Sequence, residues 1–533
     1  MADVIVPDKQ GIPIPLDAQP GIQRDGTFYR SNAFIDGQWV RFLHDWPQKM
    51  GGYQSIDIGN DEVVGNMYIV PKSTSNDIYL GRPSTLNYIN LSNAGIVTSE
   101  IDRTPTSGFT PAVNNLWSFT KLSYIDHSGD NNNYIIAQVA PTRDDIATQD
   151  EGPIFIGSTQ DNTPLTQITD GSTPTALNVL CSGGVIVLSP IIIAYGNNGL
   201  LNWCAPNDPM NWVTDNTRNA LFIDSTKVVK GVLYQGSLIF FTLTSIVRVN
   251  YTPADSGAGS LSYSTIQDGI SILSANSVIV YQNLIFWIGQ GQFYLFNGSV
   301  QRLQNDMCHD YFYDNLATAY QSKIYGMVNP EYDEIIWFWT MEDRDNPDAT
   351  PTENNQAIIY NVGKSVWTTT AWPRSCGQPL STYKFPIMAS SALEKTQSGQ
   401  SVIESYPIWE HEIGFDKVLQ DVSYPIHSFV RYPIKDLFSS SPSGASNRLM
   451  EVLRIENDFI INETMTVTLY VQMYPNGPIQ TIGPVSFDES TPFIDNVLCQ
   501  GRLISVQFDS NVLGGYYAGG KILQDISPQD FNI

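Results

Sequence analysis

A search for chemistry in this chain begins with its five histidines, His44, His127, His309, His411 and His427. His411 lies in WEHEIG, between two carboxylates, which is the start of a zinc-binding helix signature. Such a helix needs a second imidazole one turn later, and no His follows at the HExxH spacing. Glu410, His411 and Glu412 therefore read as a strand or turn holding a hydrogen-bonded, structural His. GQGQFY at 289–294 has two of the glycines of a dinucleotide-binding loop but joins two strands instead of opening a helix, so it reads as a hairpin turn. The loops NDP (207–209), HSGDNNN (127–133) and EDRDNPD (342–348) carry calcium-type oxygens without the EF-hand order or its closing Glu. Asx turn chemistry accounts for them. Cys181, Cys204, Cys308, Cys376 and Cys499 are scattered and odd in number, which suits neither a zinc site nor a disulfide framework. GxSxG and Walker A motifs are absent. Paired carboxylates for glycoside hydrolysis meet only in space, and the sequence gives no positive sign of them. No catalytic, cofactor-binding or metal-binding residue is assigned, and no cofactor is expected.

The elements that would position any such groups are strands. Only 15% of the 533 residues are charged, against roughly a quarter in ordinary globular proteins, and 40 Gly, 32 Pro and 27 Tyr stand in their place. This composition suits short strands joined by turns and is poor in helix formers. The length points to two or three domains. The net charge of −25 repels nucleic acid and anionic lipid, which argues against sequence-specific DNA binding. MADVIVPDKQGIPIP has neither a basic region nor a sustained apolar stretch, so no secretory signal is expected. GGVIVLSPIIIAYG at 183–196, the most apolar run, is too short to cross a bilayer and is interrupted by Ser189-Pro190. It reads as two buried strands around a turn.

One phrase recurs. LIFFTLTSIVRVNY (238–251) and LIFWIGQGQFYLFNG (284–298) each hold an apolar strand, a small polar break and a second strand. Related phrases start near residues 66, 133, 184 and 334, so successive intervals are 67, 51, 54, 46 and 50 residues. Units of about 50 residues with three or four strands predict propeller blades. Six blades are expected. Trp203, Trp212, Trp287, Trp337, Trp339, Trp367 and Trp372 are expected between them. An irregular array of sandwich strands is the competing architecture, because no WD, kelch or Asp-box signature marks the units. Phe312, Leu316 and Tyr320 have helical spacing and predict a short helix between blades. The expected organisation is an N-terminal arm with first strands (1–54), an all-β propeller (55–400) and a C-terminal β-sandwich-like domain (401–533). A Ser-rich loop, FSSSPSGASNR, lies at 438–448.

Several phrases, in order, resemble one family. They are DGQWVRFLHDWPQKMGGY (36–53), NWCAPNDPMNW (202–212), IFFTLTSIVRVNY (239–251) and YSTIQDGISILSANSV (263–278). LIFWIGQGQFYLFNG (284–298), NPEYDEIIWFW (329–339), IIYNVGKSVW (358–367), YPIWEHEIGFD (406–416) and GRLISVQFDS (501–510) complete the set. Together they are similar to the tail hub or nozzle proteins of short-tailed bacteriophages, a group that includes packaged-DNA stabilisation proteins and tubular tail proteins of the B type. The resemblance implies a virion structural protein, assembled in the host cytoplasm as a homo-hexameric ring below the portal and its adaptor. It further implies tail fibre, tailspike or needle partners, and genomic DNA passing through the ring without sequence-specific contact. It implies no enzyme activity and no stable membrane insertion. A glycan-binding or glycan-cleaving propeller and an extracellular adhesion propeller are the readings from other classes.

Overall fold

The apolar run Leu284–Gly289 pairs antiparallel with Gln292–Phe296, Gly289 opposite Gln292, across a two-residue turn. Gly291 takes φ +76° there, a conformation that glycine adopts without a Cβ clash. GQGQFY is thus a hairpin turn. Ile279–Tyr281 and Val300–Arg302 flank the pair and complete a four-stranded sheet. The related phrase at 238–251 forms the middle of a like sheet, Val228–Tyr234, Ser237–Thr242, Ser245–Thr252 and Ser260–Asp268.

This is a computed structural model, and it describes residues 12–529 apart from 29–30, 58, 114, 126–129, 141–151, 169–180, 215–216, 256, 382, 399–400, 435–448, 457–458, 462–463, 496 and 519–522. The Ser-rich loop and part of HSGDNNN lie outside the described residues. Six successive sheets, each a four-stranded antiparallel meander, span 66–102, 116–167, 184–222, 228–268, 279–302 and 325–371. The first strand of each is innermost, and these strands stand beside one another around an axis. The chain is an all-β propeller with a second β unit.

A seventh sheet closes the ring, one more than the spacing predicts. Arg374–Gln378, Ile387–Ser390 and Ile408–His411 provide its first three strands, and Tyr53–Asp57 returns from the start of the chain as the fourth. Lys417–Leu419 and Val422–Tyr424 extend it. The ring seals where Gln378 Nε2 donates to the Met67 carbonyl at 2.8 Å. The expected limits of 55 and 400 are therefore corrected outward at both ends. A strand supplied from 350 residues away leaves no periodic trace in the sequence.

Indoles fill the gaps between sheets. Trp337 and Trp367 stack at 6.1 Å, and Trp337 Nε1 donates at 2.8 Å to the carbonyl of Ser277, in the 3-10 turn that leads into the preceding sheet. Trp203 Nε1 reaches the Ala258 carbonyl at 3.2 Å, and Trp287 packs on Phe241 at 5.1 Å. Glu334–Trp339 is buried along its whole length because its sheet is covered on both faces. The helix expected around Phe312 is His309–Asn315; it stops at Leu316, and Thr318–Lys323 continues as a 3-10 turn. Asp25 accepts hydrogen bonds from the Asp310 and Tyr311 amides, capping that helix from the other end of the chain.

The second unit draws on both chain ends. Asp36–Gln38, Ser428–Arg431, Leu503–Ser510, Met465–Gln472 and Gln480–Phe487 make a five-stranded antiparallel sheet. Val40–Leu43 and Trp46–Lys49 join Tyr516–Ala518 and Phe459–Ile461 in another. A shared core includes Phe34, Val40, Phe42, Val467, Phe459 and Phe508. The arm expected at 1–54 thus supplies structural strands of the sandwich.

Candidate functional site

Three consecutive side chains of WEHEIG point to three different partners. Glu410 accepts the Tyr383 hydroxyl at 2.6 Å, and burial raises its carboxyl above the usual range. His411 is buried and accepts from Arg374 Nε at 3.0 Å, stacked on Tyr53 at 4.9 Å. Burial and the adjacent guanidinium hold its pKa well below 6.5, so the imidazole is neutral. Glu412 turns back at φ +66° and meets Arg41.

Arg41 is the centre of a buried ion cluster. Its Nε and Nη2 bond both Glu334 oxygens at 2.8 Å, and Nη1 and Nη2 bond Glu412 at 2.9 and 2.7 Å. Asn329 Nδ2 donates to Glu412 at 2.9 Å, and the Tyr332 ring lies 3.5 Å from the guanidinium carbon. Burial opposes the Arg41 charge, but the two carboxylates outweigh it and raise its pKa well above the ordinary value. Burial outweighs Arg41 at Glu334 and lifts that carboxyl. The cluster clamps the sandwich strand Val40–Leu43 to the sixth and seventh sheets. One strained φ and a net excess of one carboxylate are held there by five charge-assisted or amide hydrogen bonds.

The other candidate is the propeller's own axial tunnel. The innermost strands of the first, second, sixth and seventh sheets run from its narrow mouth, near Gly65, Leu116 and Ser375, to a wide mouth of about 430 Å³. Tyr68, Phe119, Tyr281, Tyr325 and Gln378 line the wide mouth, and none of its described lining residues is Asp or Glu. Between the mouths lies a waist of about 50 Å³ that receives Lys227 and Lys230. At the narrow mouth Lys323 pairs with Glu353, whose carboxyl burial lifts despite that ammonium.

A scan against protein-family models finds no match, and no curated protein matches the chain. Among solved structures it is similar to the WD40 repeats of RRP9, at 10% identity and a TM-score of 0.36, over 68% of this chain and 99% of that one. An ancestral GH74 enzyme shares 9% identity at a TM-score of 0.38, over 72% of this chain and 51% of its own. The exo-β-1,3-galactanase from Phanerochaete chrysosporium, solved with galactose, shares 9% at a TM-score of 0.30, over 90% and 100%. Likeness at this level carries no argument about activity.

The loop readings from sequence meet ordinary turn chemistry. Asp343 Oδ1 accepts from the Asp345 and Asn346 amides, and Asn207 takes φ +56° in the NDP turn. All five cysteines are free and buried, and no group of three or more metal-ligating side chains occurs among the described residues. Sequence reasoning missed Arg41, Lys227 and Lys230. A lone Arg inside the apolar strand VRFL was the available signal for a buried partner. For the lysines the signal was weaker. A bulge between Val228 and Lys230 breaks strict alternation, so residue parity alone misplaces their side chains.

Proposed function

We propose that the chain is a subunit of the tail hub or nozzle of a short-tailed phage, closing with five further copies into a ring below the portal and adaptor that serves as the DNA exit channel. The observation that carries this reading is where three of the resembling phrases converge. DGQWVRFLHDWPQKMGGY contributes Arg41, NPEYDEIIWFW contributes Glu334, Asn329 and Tyr332, and YPIWEHEIGFD contributes Glu412 to one buried cluster. The phrases therefore belong to one physical device that fixes the sandwich on the propeller, as a ring subunit under the pressure of exiting DNA requires. Electron microscopy of particles, with antibody against this chain, tests the reading. Label on the tail and a six-fold ring are expected; absence of the chain from purified particles overturns it.

A second reading, a glycan-binding or glycan-cleaving propeller, is favoured by the partly exposed rings of Tyr68, Phe119 and Tyr281 at the wide mouth, which offer apolar faces to sugar rings. Saturable glycan binding or hydrolysis by the purified chain, lost in Tyr281→Ala, would decide for it.

A further inference from the structure

We propose that His309 is a proton-operated latch, tying the helix His309–Asn315 and the N-terminal arm to the hairpin turn of the fifth sheet, closed while the imidazole carries both protons and loosened when it loses one. Each ring nitrogen faces an acceptor. Nδ1 lies 2.8 Å from Asp310 Oδ1, and Nε2 lies 2.9 Å from the Gly291 carbonyl. A neutral imidazole has one N–H and satisfies only one of them, whereas the imidazolium donates to both. The partner for the other state is already in place, because Gln292 Nε2 stands 3.4 Å from His309 Nε2. On deprotonation the remaining proton stays on Nδ1, beside the carboxylate, which is the stronger acceptor. Nε2 then turns a lone pair on the Gly291 carbonyl, which repels it, and accepts from Gln292 instead. The proton selects between two sets of hydrogen bonds.

Charges around the ring favour the closed set. His309 begins its helix, where the helix's own amides disfavour a cation. Two carboxylates offset this: Asp310, and Asp25 of the arm, which accepts from the Asp310 and Tyr311 amides. Arg302 from the fifth sheet and Asp306 from the segment before the helix line the same cavity, so three carboxylates face one other cation among its described lining residues. Tyr313 packs its ring 4.9 Å away and spends its hydroxyl on the Gly289 carbonyl. Burial lowers the His309 pKa, but Asp310, the Gly291 carbonyl and Asp25 outweigh it and hold the group above 6.5. The latch's contribution to stability is therefore complete below pH 6.5 and is lost as pH rises through the folded value. That is the opposite sign to the buried, neutral His411.

The latch sits where the arm meets the propeller. The Arg24 and Asp25 amides both donate to the Met307 carbonyl, and the strand just before them, Gln19–Ile22, pairs with Ala33–Phe34 and gives Ile22 to the sandwich core. Loosening it frees the helix and arm from the fifth sheet. All its parts lie in one chain, so it is independent of the tail-hub reading.

Two measurements on the full chain test it. In NMR of histidine-labelled protein, the resonance lost in His309→Gln is expected to titrate above pH 6.5, and to move down towards 6.5 in Asp310→Asn. Asp310 has a side chain 73% exposed, so that variant leaves the core intact. Hydrogen exchange, corrected for its intrinsic pH dependence, should speed up about threefold or more over residues 289–293 and 309–311 between pH 6 and pH 8. His309→Gln should lose that pH dependence, and His427→Gln, at a histidine 43% exposed beside Asp509, should keep it. Should His309→Gln fail to fold, Asp310→Asn still decides, because it should shift the exchange transition to lower pH. Titration of His309 at or below 6.5, or unchanged protection of both segments across its titration, would overturn the proposal.

Discussion

Arg41 ties a sandwich strand to the sixth and seventh sheets. Arg41→Met leaves Glu334 and Glu412 buried face to face, and removing one partner of a buried ion cluster costs about 3–5 kcal/mol. Urea unfolding of the intact chain should show that loss, and Glu412→Gln, which keeps the length and one acceptor oxygen and leaves Arg41 paired with Glu334, should show less. His411 sets a pH dependence of definite sign. Its folded pKa lies below the unfolded 6.5, so its contribution is complete above pH 6.5 and declines as pH falls below it. The slope approaches about 1.4 kcal/mol per pH unit, one proton's worth. His411→Gln keeps an acceptor for Arg374, so the fall in the urea midpoint between pH 7 and pH 5.5 should be smaller in that variant. Thiols give a third check. Burial lifts Cys204, Cys308 and Cys376 to about 12 and Cys499 to about 11, so thiol reagent should titrate none of these natively and all of them in denaturant. At this scale the sequence shows that His411 lacks a zinc partner and that GQGQFY makes a turn. It does not show the Arg41 cluster, whose members are 293 and 371 residues apart along the chain and share no spacing rule.

Strands were legible where their partners are neighbours. Each four-stranded meander pairs successive runs, so alternation and turn residues reveal it, and the interval near 50 reveals the series. The closing sheet was hidden because Tyr53–Asp57 lies between Ile408–His411 and Lys417–Leu419, far from both in sequence. That central position makes it sensitive. Gln54→Pro removes a backbone donor from a strand paired on both sides and should open the ring, seen as rapid proteolysis between residues 53 and 66. Thr98→Pro is the matched control. Thr98 sits at a bulge on the outermost strand of the first sheet, where proline is tolerated, and its proteolysis pattern should match the parent's.

At the scale of the whole molecule, the tail-hub reading makes an electrostatic demand. Each copy brings −25 charges, and a shared bore conducting DNA works best if acidic residues outnumber Lys and Arg on its wall. Phosphates then stay near the axis and are not held by ion pairing and counterion release. Replacing several bore carboxylates with Lys should slow DNA release without impairing tail assembly. The defect should shrink as salt rises, because repulsion is screened over about 8 Å at physiological ionic strength. The change of pattern near residue 400 falls inside the seventh sheet, whose strands run on to Tyr424, and the sandwich's dependence on strands within 12–49 was not legible, since those runs are short and pair with strands near the far end. That dependence, with the strand Tyr53–Asp57 closing the ring, has a consequence for synthesis. The ribosome must make Ile408–His411 before the earliest ring strand finds its partner. At roughly 5–20 residues per second, the nascent chain waits on the order of 20–70 s with raw sheet faces uncovered. The sandwich waits longer still, until Leu503–Ser510 emerges. Neither unit can fold ahead of the other's last strands by more than the final stretch of translation. The chain therefore spends most of its synthesis with both units open, and a copy terminated before Ile408 carries no finished domain, whereas one terminated just after Tyr424 carries a ring without its sandwich.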